Sequence, residues 1–200
     1  MRTVILAAGD FPRRGGRAWE ILVGARRVVA CDSAAVAYRR RFHRWPDVVI
    51  GDMDSAECRG ANVIRIPDQD TNDLTKAIRY AKARGWRDLV AVGATGRRED
   101  HMLGNLFRAL DEDVPVVTES GTFHPVVGTR RFAVRPGAAV SVFAPDPATR
   151  LTSTGLKWPL DGVRFGRAHA DSLYFATLNR TTGRRLTITA DRRILVFIAS

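Results

Sequence analysis

The apolar positions of the first 120 or so residues fall in short runs, most of them closed by glycine or aspartate. Thr3 to Ala8 (TVILAA) ends at Gly9, Arg27 to Cys31 at Asp32, and Asp47 to Ile50 at Gly51-Asp52. Asn62 to Ile66, Asp88 to Val92 (closed by Gly93) and Val114 to Thr118 continue the series. Runs without polar alternation predict strands buried on both faces, as in a parallel sheet. Between them the period changes. Ser33 is placed to cap a helix reaching Arg41. Thr71 to Ala83 carries Leu74, Ala77, Ile78 and Ala81 at helical spacing, with Gly85 where a left-handed residue ends a helix. Glu99 to Leu110 aligns Met102, Leu103, Leu106 and Leu110 on one face. Strands alternating with helices predict an α/β domain.

Beyond Phe123 the pattern shifts. Ala138 to Phe143, Arg150 to Thr154, Val163 to Arg167, Leu173 to Leu178, Arg185 to Thr189 and Ile194 to Ile198 read as short strands. Turn pairs such as Pro136-Gly137, Asp161-Gly162 and Thr182-Gly183 separate them. The expected architecture is therefore an α/β N-terminal domain with a mostly parallel sheet over residues 1–125, plus a smaller all-β, sandwich-like C-terminal domain over residues 126–200.

Composition narrows the function classes. The chain has 200 residues, 45% of them hydrophobic, and a net charge of +11 from 32 basic and 21 acidic side chains. The basic residues are nearly all arginine and are scattered in ones, twos and threes. No zinc finger or aromatic RNA-binding signature accompanies them, so nucleic acid is not an expected partner. No apolar run approaches the ~20 residues that span a bilayer, and no leader precedes the first strand, so a cytoplasmic protein is expected. Cys31 and Cys58 match no zinc spacing, and His43, His101, His124 and His169 form no metal motif.

The residues after the strands carry the chemistry, because ligands of an open α/β sheet bind beyond the carboxyl ends of its strands. Asp52-Met53-Asp54-Ser55 follows the third strand, Asp32-Ser33 the second, and Gly93-Ala94-Thr95-Gly96 the fifth. Asp52 and Asp54, at i and i+2, can point to one side, and Asp73 joins them from a helix start. Clustered carboxylates repel unless a hard cation is shared, and Mg²⁺ takes carboxylate, water and phosphate oxygens together. The glycine-bearing loop with Thr95 and Gly96, followed by Arg97 and Arg98, suits phosphate through backbone N–H groups and guanidinium. GxxxxGK[ST], GxGxxG after the first strand and GxSxG are all absent. A divalent-metal enzyme handling phosphate is expected.

Taken in order, ILAAGDFP, ACDSAA, PDVVIGDMDS, PDQDTNDLTKAI, GATGRREDHMLGNL and GLKWPL resemble the thiamine pyrophosphokinase (thiamin diphosphokinase) family. The resemblance implies diphosphoryl transfer from ATP to the thiamine hydroxyl with release of AMP. It also implies Mg²⁺ as cofactor and a homodimer with active sites at the subunit interface. Carried over by position, Asp52, Asp54 and Asp73 are metal ligands, and Asp54, Asp73, Asp100 and Arg98 are catalytic. Asp32, Gln69, Lys76, Thr95, Gly96, Trp158 and Asn179 bind ATP or thiamine, with Trp158 stacking on the cationic thiazolium. A diphosphokinase of the same fold acting on another alcohol, such as a hydroxymethylpterin, is the alternative. The chain departs from the family pattern at Ser33, at Asn72, and at Leu178-Asn179-Arg180, where a Ser-Asn pair is expected.

Overall fold

The computed structural model describes residues 2–51, 58–68, 70–163 and 174–200. Contacts divide the chain into two compact units, Met1–Glu119 and Ser120–Ser200. The boundary expected after residue 125 falls inside a strand of the second unit.

The first unit is a parallel sheet with helices between its strands. Its strands are β1 (Thr3–Leu6), β2 (Arg27–Cys31), β3 (Val48–Gly51), β4 (Val63–Arg65), β5 (Leu89–Val92) and β6 (Val116–Val117). Neighbours pair in the order β6-β5-β1-β2-β3-β4, all parallel. The unalternated runs have the expected reason: every residue of β1 and β3 is buried. Val4, Leu6, Val28, Ala30 and Val49 form a core with Tyr38, Ala35 and Leu22 from the helices.

Among the described residues, four helices connect the strands. α2 (Asp32–Phe42) begins at Asp32 itself, so Ser33 lies inside its first turn rather than capping it. α3 (Asp73–Ala83) is capped by Asn72, whose Oδ1 accepts from the Thr75 N–H at 3.0 Å. Gly85 closes α3 in the left-handed conformation, φ +71°, its N–H donating to the Lys82 carbonyl. α4 (Glu99–Asp111) buries Leu106, Ala109 and Leu110. Leu103, expected on that face, is half exposed. The remaining helix, α1 (Arg17–Val23), was not expected: it is seven residues long, buries only Ala18 and Leu22, and follows Gly15-Gly16.

The second unit is antiparallel. β7 (Gly121–Ala133) and β11 (Arg185–Ala199) pair along their length, β8 (Ala139–Phe143) and β9 (Leu151–Thr154) also pair β11, and β10 (Phe175–Arg180) pairs β8. Two strands expected at Arg185 to Thr189 and Ile194 to Ile198 are one continuous strand. Its register shifts between Ala190 and Ile194, and there the Asp191 carboxylate accepts the Arg150 N–H. β8 pairs β11 on one side of that shift and β9 on the other. β7 escaped the sequence reading because Thr129, Arg130 and Arg131 break its apolar pattern. The strand expected at Val163 to Arg167 lies outside the described residues after Val163. Val140, Val142, Leu186, Ile188, Ile194 and Val196 make this unit's core. No helix among the described residues is long and apolar enough to cross a membrane.

Candidate active site

A cavity of about 670 Å³ lies at the carboxyl edge of the parallel sheet, where β1, β2 and β5 end and α3 and α4 begin. Gly9, Cys31, Asp73, Lys76, Gly96 and Arg98 are among the residues that line it. This is the place where backbone geometry alone puts ligands in such a sheet.

Close backbone approach builds the floor. The Gly9 N–H donates to the Gly93 carbonyl at 2.7 Å and the Asp10 N–H to the Thr95 carbonyl at 2.8 Å, so the loops after β1 and β5 run side by side. A methyl on Gly9 would meet the carbonyl oxygens of both Gly93 and Thr95. Gly96, with φ +80°, turns the second loop against the Asp10 carboxylate. Gly96 lines the cavity. Thr95 does not, and its carbonyl is taken by Asp10.

The start of α3 supplies the charge. Lys76 is 6% exposed, and its Nζ lies 3.6 Å from Asp73 Oδ1, one turn back on the same helix. A cation this buried needs anionic company, and Asp73 is half of what a phosphate group could complete. Asp32 opens α2 with φ +22°, and its Cβ would stand 3.2 Å from a side chain placed at Gly51. Asp32 is thereby held beside the residue that leads into Asp52 and Asp54. The Cys31 thiol is pushed far above its ordinary value, first by burial and then by Asp73 and Asp32. Cys31 is thus a protonated residue of the cavity wall.

Asp52, Asp54 and Gln69 lie outside the described residues. Among those described, no group of three or more His, Cys, Asp or Glu side chains is gathered for a metal ion. Asp32 and Asp73 nevertheless provide hard oxygen donors of the kind Mg²⁺ takes, and Asp32 lies beside Gly51.

Arg98 and Asp100 flank the start of α4. The Arg98 guanidinium grips the Asp100 carboxylate with both arms, Nε to Oδ1 at 3.1 Å and Nη2 to Oδ2 at 2.6 Å. That hydrogen bonding holds the Asp100 carboxyl down to about 2. Arg98 lines the cavity and Asp100 does not.

Two asparagines that the residue types did not reveal tie these parts together. Asn105 on α4 donates to the Ala94 carbonyl at 3.1 Å and accepts from Asn72 Nδ2 at 3.0 Å. Asn72 in turn caps α3 through Thr75 N–H and Oγ1. The glycine-bearing loop, α4 and the helix carrying Asp73 and Lys76 are thus joined by one hydrogen-bond chain. Just upstream, the Asp68 carboxylate accepts from Thr71 Oγ1 and, at 2.8 Å, from the Asp70 N–H, and these bonds lower its pKa.

Trp158 and Asn179 belong to the second unit. The Trp158 ring is 51% exposed, with Lys157 Nζ 4.7 Å from its centroid. Asn179 is buried and spends its amide on the backbone. Its Oδ1 accepts from the Trp158 and Arg180 N–H groups, and its Nδ2 donates to the Trp158 carbonyl at 2.6 Å. Asn179, expected to bind ligand, is hydrogen-bonded to both backbone polar groups of Trp158. Beside it, Leu178 stands 84% exposed at φ +69°, within the register shift between Ala176 and Asn179.

Comparison with known proteins gives this geometry its relatives. Residues 18–117 match the family model for the thiamin pyrophosphokinase catalytic domain, and residues 121–197 match that for the thiamin pyrophosphokinase substrate-binding domain. Thiamin pyrophosphokinase 1 of Caenorhabditis elegans is 32% identical across 44% of this chain and 43% of its own length. Thiamine pyrophosphokinase 1 of Arabidopsis thaliana is 28% identical across 80% of this chain and 67% of its own length. The chain thus spans under half of the first of these relatives and about two thirds of the second. In fold, it is similar to the crystal structure of thiamin pyrophosphokinase from Geobacillus thermodenitrificans, with a TM-score of 0.78 at 23% identity over 100% of this chain and 97% of that one. Yeast thiamin pyrophosphokinase gives a TM-score of 0.76 at 13% identity over 99% and 86%.

Proposed function

The chain belongs to the thiamin pyrophosphokinase family, and on that premise we propose that it transfers the diphosphoryl group of ATP to the hydroxyl of thiamine, yielding thiamine diphosphate and AMP. The observation that carries the reading is the cavity at the carboxyl edge of the parallel sheet, where Lys76 is buried against Asp73 between a glycine-bearing loop and Arg98.

Each side chain has a task that its chemistry suits. The backbone of the Gly93–Gly96 loop faces the phosphates, held at its distance by the Gly9 and Asp10 hydrogen bonds. Lys76 and Arg98 bring positive charge to oxygens that gain negative charge as the bond between the α- and β-phosphates breaks, which is where such transfers gain most. Asp100 keeps the Arg98 fork aimed. Asp52, Asp54 and Asp73 would hold Mg²⁺, with Asp32 in the surrounding acidic shell. When bound, the ion neutralises phosphate charge and orients the diphosphoryl group. Trp158 offers its face to the cationic thiazolium, and Asn179 fixes the backbone that carries it. A homodimer with active sites at the subunit interface belongs to the same reading, and sedimentation tests it.

The decisive experiment is turnover with Mg·ATP and thiamine, comparing the unaltered chain with Asp54→Asn. Thiamine-dependent AMP release that is lost in a folded Asp54→Asn supports both the reaction and the metal role. No AMP and no thiamine diphosphate across a wide thiamine range sinks the assignment. Exposed Leu178, standing where a hydroxyl residue is expected, gives the other-alcohol reading one observation in its favour. A panel of acceptor alcohols including a hydroxymethylpterin separates the two.

A further inference from the structure

A second concave site lies at the opposite edge of the parallel sheet. α2 leaves the carboxyl edge at Asp32 and runs for 11 residues. Its last turn is therefore about 16 Å away from the candidate active site along the helix axis. There Val36, Arg39, Arg40, His43 and Trp45 line a cavity of about 620 Å³. That size falls within the range of small-molecule sites.

The lining is one-sided in charge: two guanidinium groups and an imidazole, with no carboxylate among the described residues. Arg39 is already placed, its guanidinium 4.4 Å from the centroid of the Trp45 ring. Arg40 and His43 are exposed, and neither side chain has a hydrogen-bond or ion-pair partner among the described residues. His43 is held in the left-handed conformation, φ +56°, by the bond from its N–H to the Arg39 carbonyl. The chain therefore turns at this point, and Trp45 comes back to Arg39.

Basic residues in a last helical turn need no ligand to be favourable, because they face the helix's negative end. That end amounts to about half an elementary charge. Here Arg39, Arg40 and Arg41 occupy the last turn and Arg44 follows it. The positive charge exceeds what the helix can use several-fold. Two neighbours are turned away from the cavity onto other rings: Arg41 lies over Trp19 at 5.2 Å, and Arg44 over Tyr38 at 5.7 Å. Arg40 and His43 are left facing it with unspent donors.

We infer that this cavity binds a compact phosphate or diphosphate ester, separately from the candidate active site. Arg40 grips the phosphate oxygens as a fork, His43 adds a donor, and Val36 with the half-buried Trp45 seats the ester's organic part. The short lining of five residues favours a small anion over a nucleic-acid strand, which needs a continuous basic groove with stacking platforms along it.

The test is titration of inorganic pyrophosphate into the full chain without divalent cation, read by calorimetry and tryptophan emission. The unaltered chain is compared with Arg40→Ala/His43→Ala and with Arg98→Ala, whose change lies at the other edge. The expected result is a binding event weakened at least about tenfold in Arg40→Ala/His43→Ala and retained in Arg98→Ala, with circular dichroism unchanged in both. An unchanged number of pyrophosphate sites with unchanged affinities in Arg40→Ala/His43→Ala overturns the proposal, as does a loss confined to Arg98→Ala. Single-stranded RNA binding more tightly than pyrophosphate, with the steep salt slope of many phosphate contacts, overturns it in favour of a nucleic-acid surface. None of these readings depends on turnover, so the site stands or falls separately from the proposed reaction.

Discussion

The side-chain amide of Asn179 holds Trp158 by both of its backbone polar groups, accepting from its N–H at 3.2 Å and donating to its carbonyl at 2.6 Å. The ring itself is left half exposed, so the pair combines a fixed backbone with an available aromatic face. Asn179→Ala would strand both groups, each costing about 1–3 kcal/mol when buried without a partner. The expected outcome is lower stability in urea and a thiamine KM raised about tenfold, with kcat at saturating thiamine changed much less. Thiamine quenching of tryptophan emission should weaken in parallel. A fall in kcat with unchanged KM would remove Asn179 from the positioning of Trp158.

Two glycines at the cavity should respond to alanine in opposite directions. A methyl on Gly9 meets backbone carbonyls from the neighbouring loop, which no rotamer change relieves. Gly9→Ala should cost at least about 2 kcal/mol, the scale of overpacking, and weaken ATP binding by spreading the two loops. Gly104 sits inside α4 with open space where its methyl would go. Gly104→Ala should stabilise by about 0.5–1 kcal/mol through helix propensity. Thermal melts of the two variants check both signs.

The first unit was legible because parallel strands buried on both faces leave unbroken apolar runs, and β1, β2, β3 and β5 have that form. α1 was not, because a seven-residue helix burying two side chains has too little period to detect. β7 was hidden by its polar residues, and the strand it pairs with, β11, lies far along the chain. In the site, Asp73, Lys76, Gly96 and Arg98 could be picked out by their order along the chain, and the cavity unites them. Asn105 and the holding role of Asn179 could not. An asparagine's partners depend on which groups the fold brings within hydrogen-bond reach, and sequence spacing carries no record of that.

Glu112 joins α3 to α4, its carboxylate receiving Arg79 Nε at 2.7 Å and Lys82 Nζ at 2.8 Å. Partial burial raises its pKa, but the hydrogen bonds and charges of Lys82 and Arg79 together outweigh that and leave it below the ordinary value. A lowered folded-state pKa contributes stability above the unfolded value, about 4.3 for glutamate, and loses it as pH falls through the folded value. Glu112→Gln should therefore cost about 1 kcal/mol at pH 7, since both cations are largely exposed and screened. The deficit should shrink toward zero below pH ~4. Urea midpoints at pH 7 and pH 3.5 test this, and a deficit that grows on acidification would contradict it.

Arg98 and Asp100 offer the same linkage at the cavity mouth with a spectroscopic readout. The Arg98 fork is the main reason the Asp100 carboxyl lies near 2, with the His101 N–H and charges adding to it. Removing the fork in Arg98→Ala should raise the Asp100 pKa toward the ordinary aspartate value of about 3.9, followed by the carboxyl carbon resonance in an NMR titration. Asp100 stays ionised at neutral pH in either case, so any loss of turnover in Arg98→Ala at pH 7 is a loss of the guanidinium and not of the carboxylate's charge. Arg98→Lys separates charge from shape. It keeps one positive charge and abandons the two-armed geometry that matches Asp100 Oδ1 and Oδ2. If aim is what Arg98 contributes, Arg98→Lys should recover little of the turnover lost in Arg98→Ala. Near-complete recovery would assign the effect to charge alone.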